Sequence, residues 1–564
     1  MKNIITQITR NIPVSLRYGA VRNVMYSLLC SIIDLVSVIA FVPLMAAVVD
    51  PNNIFTNQYL YRAYLWSGCG DTLRFTLLLT VLVLAIIIVK SAVIMWLSYM
   101  QKVFMMRFFT FLTTNTFKNY YRKGLLFIKT HNSNKLINEI WYSSFVFAIS
   151  VVGSAFTIIS DSLLLLIICS IILVYKPLVF LILVIVFVPM VLLYGRVIKR
   201  RMRRYGTQEN DLRIGQYRIL VEAVRGFCDI KISGSFDGIL KRYDQILKDI
   251  SHKRIISSTI GELPSKIVEI SVLVGIIGLL LLTIYMGDNN ADSLLFILGV
   301  FVIFSYKVMP AINRIIGSWV TIQRNNFSLK IFDNINGSSL EDVESENVIS
   351  YKNFQHIKVD EVTFFFEEGK KKIFENYTLE INRGDRLLIS GQSGCGKTTL
   401  LRLLMGFYTP QSGSVTIDGK PMSDGWQREI GYVSQEIFIM DDTLLANITM
   451  ESDKEKVDFE KLEKVISWVS LDEIGVELDE ELKEFGNRLS GGQKQRIGIA
   501  RALYKGADIL FMDEATSSLD LEAETQIYNI IKNLPQDTTI VLISHHVTAN
   551  KEIIDTIFTK VEEL

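Results

Sequence analysis

The residues with the clearest chemical purpose are the run "GQSGCGKTT", Gly391 to Thr399, with the apolar "LLIS" before it and "LLRLLMG" after it. An apolar strand, a Gly-rich loop and a helix in that order make a phosphate cradle. Gly391, Gln392, Ser393, Gly394, Cys395 and Gly396 form the loop, and its glycines let backbone N–H groups approach phosphate oxygens. The helix start adds positive potential. Lys397 reaches the β- and γ-phosphates of a nucleotide, and the hydroxyl of Thr398, with Thr399 beside it, suits Mg²⁺. A second apolar run, "DILFMDE", ends in Asp513, a carboxylate for Mg²⁺. Glu514 follows at once, placed to polarise an attacking water as a general base. Two acids can simply end a strand. Beside a phosphate cradle they complete the set that ATP hydrolysis requires.

A second cradle lies upstream of those acids. In "LSGGQKQRIGIARAL", Ser490, Gly491, Gly492 and Gln493 open another helix. One phosphate loop does not need two such helix starts, whereas a second copy facing the first does. On these residues the chain resembles the ATP-binding cassette transporters, in which the phosphate loop of one domain and the signature of another sandwich each ATP. The resemblance implies further roles. Gln435 in "YVSQE" matches the glutamine that senses Mg²⁺, and His545 in "ISHH" matches the switch histidine at the γ-phosphate. Asp520 in "SSLD" matches a dimer-contact aspartate, and Phe366 stands where the family usually stacks a tyrosine on adenine. Phe keeps the π face and loses the hydroxyl.

The elements that must carry these residues divide sharply along the chain. It has 564 residues, half of them hydrophobic, and a net charge of +1 that argues against nucleic acid as a partner. Five cysteines show neither metal-ligand spacing nor a disulfide framework. Long apolar runs fill the first part. We read residues 1–325 as a transmembrane domain, 326–350 as a linker and 351–564 as the nucleotide-binding domain. The fold class is therefore an α-helical membrane domain of six transmembrane helices, exporter type, followed by an α/β P-loop domain.

The six spans are 19–48, 73–100, 142–173, 178–198, 264–286 and 292–317, with "YKP" at 175–177 as a tight turn. Stretches 101–140 and 195–261 are basic, the latter through "KRRMRR", while "GDNNADS" at 287–293 carries no basic residue. The positive-inside rule then puts the N-terminus, both basic loops and the nucleotide-binding domain in the cytoplasm, at a bacterial inner membrane. No cleavable signal peptide is visible. The aromatic segment Pro51–Trp66 faces outside, as a headgroup-level loop or a short amphipathic helix.

Six spans ahead of one nucleotide-binding domain resemble the half-transporter layout of exporters. "EELKEFGNRLSGGQ", through Glu481, Glu484 and Gly486, and "GFCDIKISGSF" at 226–236 resemble exporter segments before the signature and at the coupling contact. That layout implies a homodimer of two copies of this chain. Four basic residues in or near apolar runs need explaining: Lys90, Lys266, Lys307 and Arg314. Lining one cavity, they would hold an anionic phosphate headgroup. As structural groups, Lys266 would pair with Glu269 and Lys90 with Asp161. "LVSVIAFVPLMAAVVDPNNIFTNQYL" and "YKVMPAINRI" are similar to stretches of PglK-type lipid-linked oligosaccharide flippases. This resemblance implies an ATP-driven flippase or exporter of an amphiphile with an anionic headgroup, with ATP and Mg²⁺ as cofactors and a membrane lipid or lipid-linked glycan as partner. Lys307 replaces an arginine of that family, which weakens bidentate phosphate geometry. The alternatives are an exporter of a processed peptide or bacteriocin and a non-transporting membrane ATPase.

Overall fold

The computed structural model describes the chain except residues 1–5, 8, 50–52, 176, 286–290, 337–350, 367–371, 424, 452, 473–474, 484–485, 516–520 and 545–550. Asp520, His545 and Glu484 fall outside the described residues, and so does the side chain of Lys307. Two compact units are present. One comprises Met1–Lys123 and Phe127–Glu341, the other Gly124–Leu126 and Asp342–Leu564.

The first unit is helical. Its long helices are α1 (Val14–Val49), α3 (Thr72–Arg122), α4 (Gly153–Tyr175), α5 (Pro177–Arg225), α6 (Phe236–Tyr285) and α7 (Ala291–Arg324). Each carries all or most of one predicted span, the third of which begins before α4, and α5 opens on Pro177, where a missing N–H costs nothing. The basic stretches after the second and fourth spans begin as continuations of the same helices, to Arg122 and Arg225, and go on as further helices after short turns. Between α1 and α3 the aromatic segment forms a short helix, α2 (Gln58–Ser67). The Asn57 carboxamide caps it by accepting from the N–H groups of Tyr59 and Leu60, and Gly68 ends it in a left-handed turn. Tyr59 and Trp66 are almost wholly exposed on it.

Two departures from a regular helix follow from packing. Residues Glu139–Ser143 and Val146–Val152 are π-helical, and they bury Phe147, Ala148, Val151 and Val152 together. Beyond α7, helix α8 (Asn326–Asn336) occupies the start of the stretch read as linker. Its apolar side is a docking face, since Phe327, Leu329 and Phe332 are buried and Phe332 stacks on Phe147 with ring centroids 5.0 Å apart. The linker reading is corrected there. Two helical stretches among the described residues, in α3 and over Val146–Ile171, are long and apolar enough to cross a membrane.

The second unit is α/β. A four-stranded antiparallel sheet runs β2-β1-β4-β5, from β1 (His356–Phe365), β2 (Lys372–Asn382), β4 (Ser412–Ile417) and β5 (Lys420–Pro421). A five-stranded parallel sheet runs β6-β7-β8-β3-β9. Its strands are β3 (Arg386–Ser390), β6 (Ile430–Val433), β7 (Ile509–Asp513), β8 (Thr539–Ile543) and β9 (Lys560–Glu563). Every residue of β7 and β8 is buried. That is why these strands read as unbroken apolar runs instead of alternating ones.

Helices α5 and α7 approach closely at Gly206, where an added Cβ would stand 1.7 Å from the Arg324 carbonyl oxygen. Gly206→Ala must push the two backbones apart, at a cost of about 1–3 kcal/mol. Its thermal midpoint should fall below that of wild type in detergent. Gly261→Ala, where the new methyl meets nothing within 4 Å, should not shift it. Equal midpoints for both variants would rule out the close approach.

Candidate functional site

The candidate site lies at the carboxyl ends of the parallel strands. β3 delivers the Gly-rich loop and β7 delivers Asp513, with β8 between them in register, Asp513 opposite Ile543. Helix α9 (Lys397–Leu404) starts at the loop's end. Its N-cap, Gly396, has φ +116°, and a Cβ there would meet Ile373 at 2.6 Å. Both the backbone and the space around it require glycine. Lys397 is buried, and its ammonium donates to the carbonyls of Gly391 at 2.8 Å and Gln392 at 2.9 Å. The cation is held over the loop that would receive phosphates.

The hydroxyl of Thr398 donates to Asp513 Oδ1 at 3.1 Å. Gln435 Nε2 donates to Glu514 Oε2 at 2.8 Å, which leaves the Gln435 amide oxygen out of that bond. A hydroxyl, a carboxylate and an amide oxygen are hard donors of the kind Mg²⁺ takes, so Thr398, Asp513 and Gln435 fit the ion. Glu514 itself has φ +50°, an uncommon backbone state for a glutamate, and its N–H donates to the Ile543 carbonyl at 3.1 Å. Strain of this kind persists where the surroundings impose it, and here it sets the carboxylate beside Gln435.

Tyr432 was not among the residues singled out from sequence. Burial first, and then the Asp513 charge, push its pKa up to about 12. The phenol therefore stays protonated at neutral pH and can donate to Asp513. Its only sequence signal was an aromatic residue on the strand that leads to Gln435. Phe366 packs edge-on against Phe364 at 5.2 Å and Tyr408 at 5.8 Å, in a half-buried aromatic group.

Ser490 caps helix α10 (Gly491–Lys505) in a reciprocal box: Gln493 N–H donates to its hydroxyl, and Ser490 N–H donates to the Gln493 side chain. Gly491 and Gly492 form the first turn. The buried side of α10, with Ile497, Ile499, Ala500 and Ala502, belongs to one hydrophobic cluster. The P-loop helix α9 buries Leu400, Leu401, Leu403 and Leu404 in another. Arg501 ties α10 to the segment after Gln435, donating to the carbonyls of Phe438 at 3.0 Å and Asn447 at 2.9 Å.

Three of the four basic candidates of the helical unit, Lys90, Lys266 and Arg314, have acidic partners. Arg314 grips Asp161 with two bonds, Nε to Oδ2 at 2.9 Å and Nη2 to Oδ1 at 2.7 Å. Lys90 pairs with Asp34 at 2.6 Å, not with Asp161. Asp34, Asp161 and Arg314 line one polar pocket of about 390 Å³. Lys266 pairs with Glu269 at 3.2 Å in an exposed position, away from that pocket's lining. Lys90, Lys266 and Arg314 therefore do not form one belt; the side chain of Lys307 lies outside the described residues. Acids already balance Lys90 and Arg314, because an unpaired charge there would cost too much.

With this geometry in hand, similarity to known proteins can be stated. Residues 374–517 match the ABC transporter family. That segment is an ABC transporter domain. Beyond it, 201 residues are 34% identical to an ATP-dependent lipid A-core flippase of Ralstonia nicotianae, covering 34% of each chain. A longer match, 26% identical over 368 residues, is to the ATP-dependent lipid A-core flippase of Cupriavidus metallidurans, over 62% of this chain and 60% of that one. The chain thus spans between a third and three-fifths of the length of these relatives. The fold of a bacterial Atm1-family ABC exporter with ATP bound superposes with a TM-score of 0.77 at 20% identity, covering 98% of this chain and 95% of that one. The fold is therefore that of a helical domain followed by an ABC transporter domain, as read from sequence.

Two outcomes are expected. Glu514→Gln keeps the planar shape and an oxygen that can accept from Gln435 but loses the base, so ATP turnover should drop by about 10²–10⁴-fold with nucleotide binding intact. Turnover near wild type would remove Glu514 from that role. In the helical unit, Arg314→Gln leaves Asp161 with no cation in a site where Asp161 is 6% exposed. Because Arg314 is itself half exposed, the loss should be about 1–3 kcal/mol, between surface and buried pairs. Adding Asp161→Asn should recover most of it, as thermal unfolding of both variants would report.

Proposed function

We propose that two copies of this chain form an ATP-driven exporter or flippase. Its cargo is an amphiphile with an anionic headgroup, a lipid-linked oligosaccharide or related glycolipid, carried across a bacterial inner membrane. The long helices span the membrane, and the nucleotide-binding unit lies on the cytoplasmic side. One observation carries the dimer. The two phosphate-binding helix starts, at Gly396 and Ser490, grow from separate hydrophobic clusters of one unit, as a sandwich between copies requires. The name of the lipid A-core flippases supports a glycolipid cargo.

In this reading the loop from Gly391 to Gly396 and Lys397 hold the triphosphate, with Phe366 beside the adenine. Mg²⁺, held by Thr398, Asp513 and Gln435, would neutralise phosphate charge. Glu514 orients a water and takes its proton, and Gln435 fixes the carboxylate that does so. Ser490, Gly491, Gly492 and Gln493 act on the partner's nucleotide; on the family pattern Asp520 makes a dimer contact and His545 meets the γ-phosphate.

The composite site can be tested by mixing lesions. A heterodimer of a Lys397→Ala subunit and a Gly491→Asp subunit has one site with both lesions and one with neither. It should hydrolyse ATP while each parent homodimer is inactive. A heterodimer as inactive as its parents would refute the shared site. In neutral-lipid vesicles, ATPase activity should rise with an added anionic glycolipid and not with a neutral one. A rise with neither would remove the cargo reading.

A further inference from the structure

Lys90, Lys266 and Arg314 are each balanced by a carboxylate, but a second cluster of cations in the helical unit is not. It is in a cavity of about 580 Å³ enclosed by the π-helical stretch, α5, α6 and α7. That volume is in the range of small-molecule sites. Three arginines line it, Arg213 on α5, Arg254 on α6 and Arg324 at the end of α7, together with one acid, Glu209. Glu209 is buried and serves two of them, accepting from Arg324 at 2.6 Å and from Arg213 at 3.3 Å. Arg254 has no acidic partner among the described residues.

The donors outnumber their acceptors. Three cations against one carboxylate leave two positive charges in excess within the lining. Arg213 stacks on Tyr142, with its guanidinium carbon 4.1 Å from the ring centroid, and its Nε is buried without an acceptor. Asn210 turns its amide oxygen to Asn138 at 3.2 Å, so its NH₂ is a further donor in the lining. By contrast Lys90 and Arg314 each have their own carboxylate. A cavity of arginine forks and amide donors with a deficit of acceptors matches a tetrahedral oxyanion, which accepts several bonds at once.

We propose that this cavity is an oxyanion subsite that takes a phosphate group, carried on a lipid headgroup or free. Glu209 does not compete with the ligand. It holds Arg213 and Arg324 in place, leaving Arg254 as the contact with no other commitment. The charge of the ligand offsets the excess that the protein leaves open. The role of the site in moving an amphiphile rests on the transport reading above, whereas its chemistry does not.

The test uses the full chain in neutral maltoside micelles, carrying Lys397→Ala to weaken phosphate binding at the nucleotide loop. Dioctanoyl phosphatidate, inorganic phosphate and dioctanoylglycerol are titrated by calorimetry. Phosphatidate should bind and dioctanoylglycerol should not. Arg254→Gln should weaken phosphatidate about tenfold, ~1.4 kcal/mol, with the unliganded melting temperature unchanged, because this arginine is exposed and holds no ion pair. Arg254→Lys should lie between. Inorganic phosphate binding as tightly as phosphatidate would identify a free-anion site, and phosphatidate alone would identify a headgroup site. Equal phosphatidate affinity with and without Arg254, or no phosphate binding at all, would overturn the proposal. The transport reading fails separately. Arg254-dependent binding without any lipid-stimulated ATPase in the Lys397 protein would keep the subsite and discard the transport. Stimulation indifferent to Arg254 would do the reverse.

Discussion

The hydrogen bond from Thr398 to Asp513 joins the start of a helix to the end of a strand 115 residues further along the chain. It can exist only because β3, β8 and β7 lie side by side and parallel, so that their carboxyl ends share one edge. A parallel sheet buried on both faces gives each strand little freedom to slip, since a one-residue shift would turn a core side chain outward or lift a ladder bond. The positions of the Gly-rich loop, Asp513 and Glu514 derive from that alignment. The Gly396 corner, the strained Glu514 backbone and the Gln435 contact are local adjustments on an edge that the sheet has already set.

The helical unit obeys a different constraint. Its packed apolar interior does not solvate charge, so a cation buried there needs an acid or a ligand. Asp34 and Asp161 meet this need for Lys90 and Arg314, and they tie α1 to α3 and α4 to α7. Toward the basic, less apolar ends of the helices the balance changes. There Glu209 is shared between two arginines while a third lines the same cavity. The charge pattern along one bundle thus passes from balanced pairs to a positive excess, and a site for an anion belongs at the second place.

Much of the site was legible from local order in the chain. The Gly-rich loop between an apolar strand and an amphipathic helix, the two acids closing another apolar strand, and the small residues from Ser490 that open a helix are all contiguous patterns. Their physics is short-range. The same holds for the break at Pro177 and for the six apolar runs, five of which lie almost wholly in one long helix each, while the third divides between the π-helical stretch and α4. Helix α8 was less visible, because its apolar face is only a few residues long and reads as helix only when Phe147 is there to receive it.

The sequence by itself determined which residue types were present for phosphate, metal and base, and that the chain divides into an apolar helical part and an α/β part, because composition and period are properties of neighbours. Tertiary structure alone decided which charges meet. Lys90 chooses Asp34, Arg314 chooses Asp161, and Arg213, Arg254 and Arg324 come together from three helices. Tyr432 joins Asp513 across strands that are 80 residues apart in sequence. A side chain's partner is set by how helices rotate and how strands register, and that depends on the packing of the whole unit, which no local window of sequence contains.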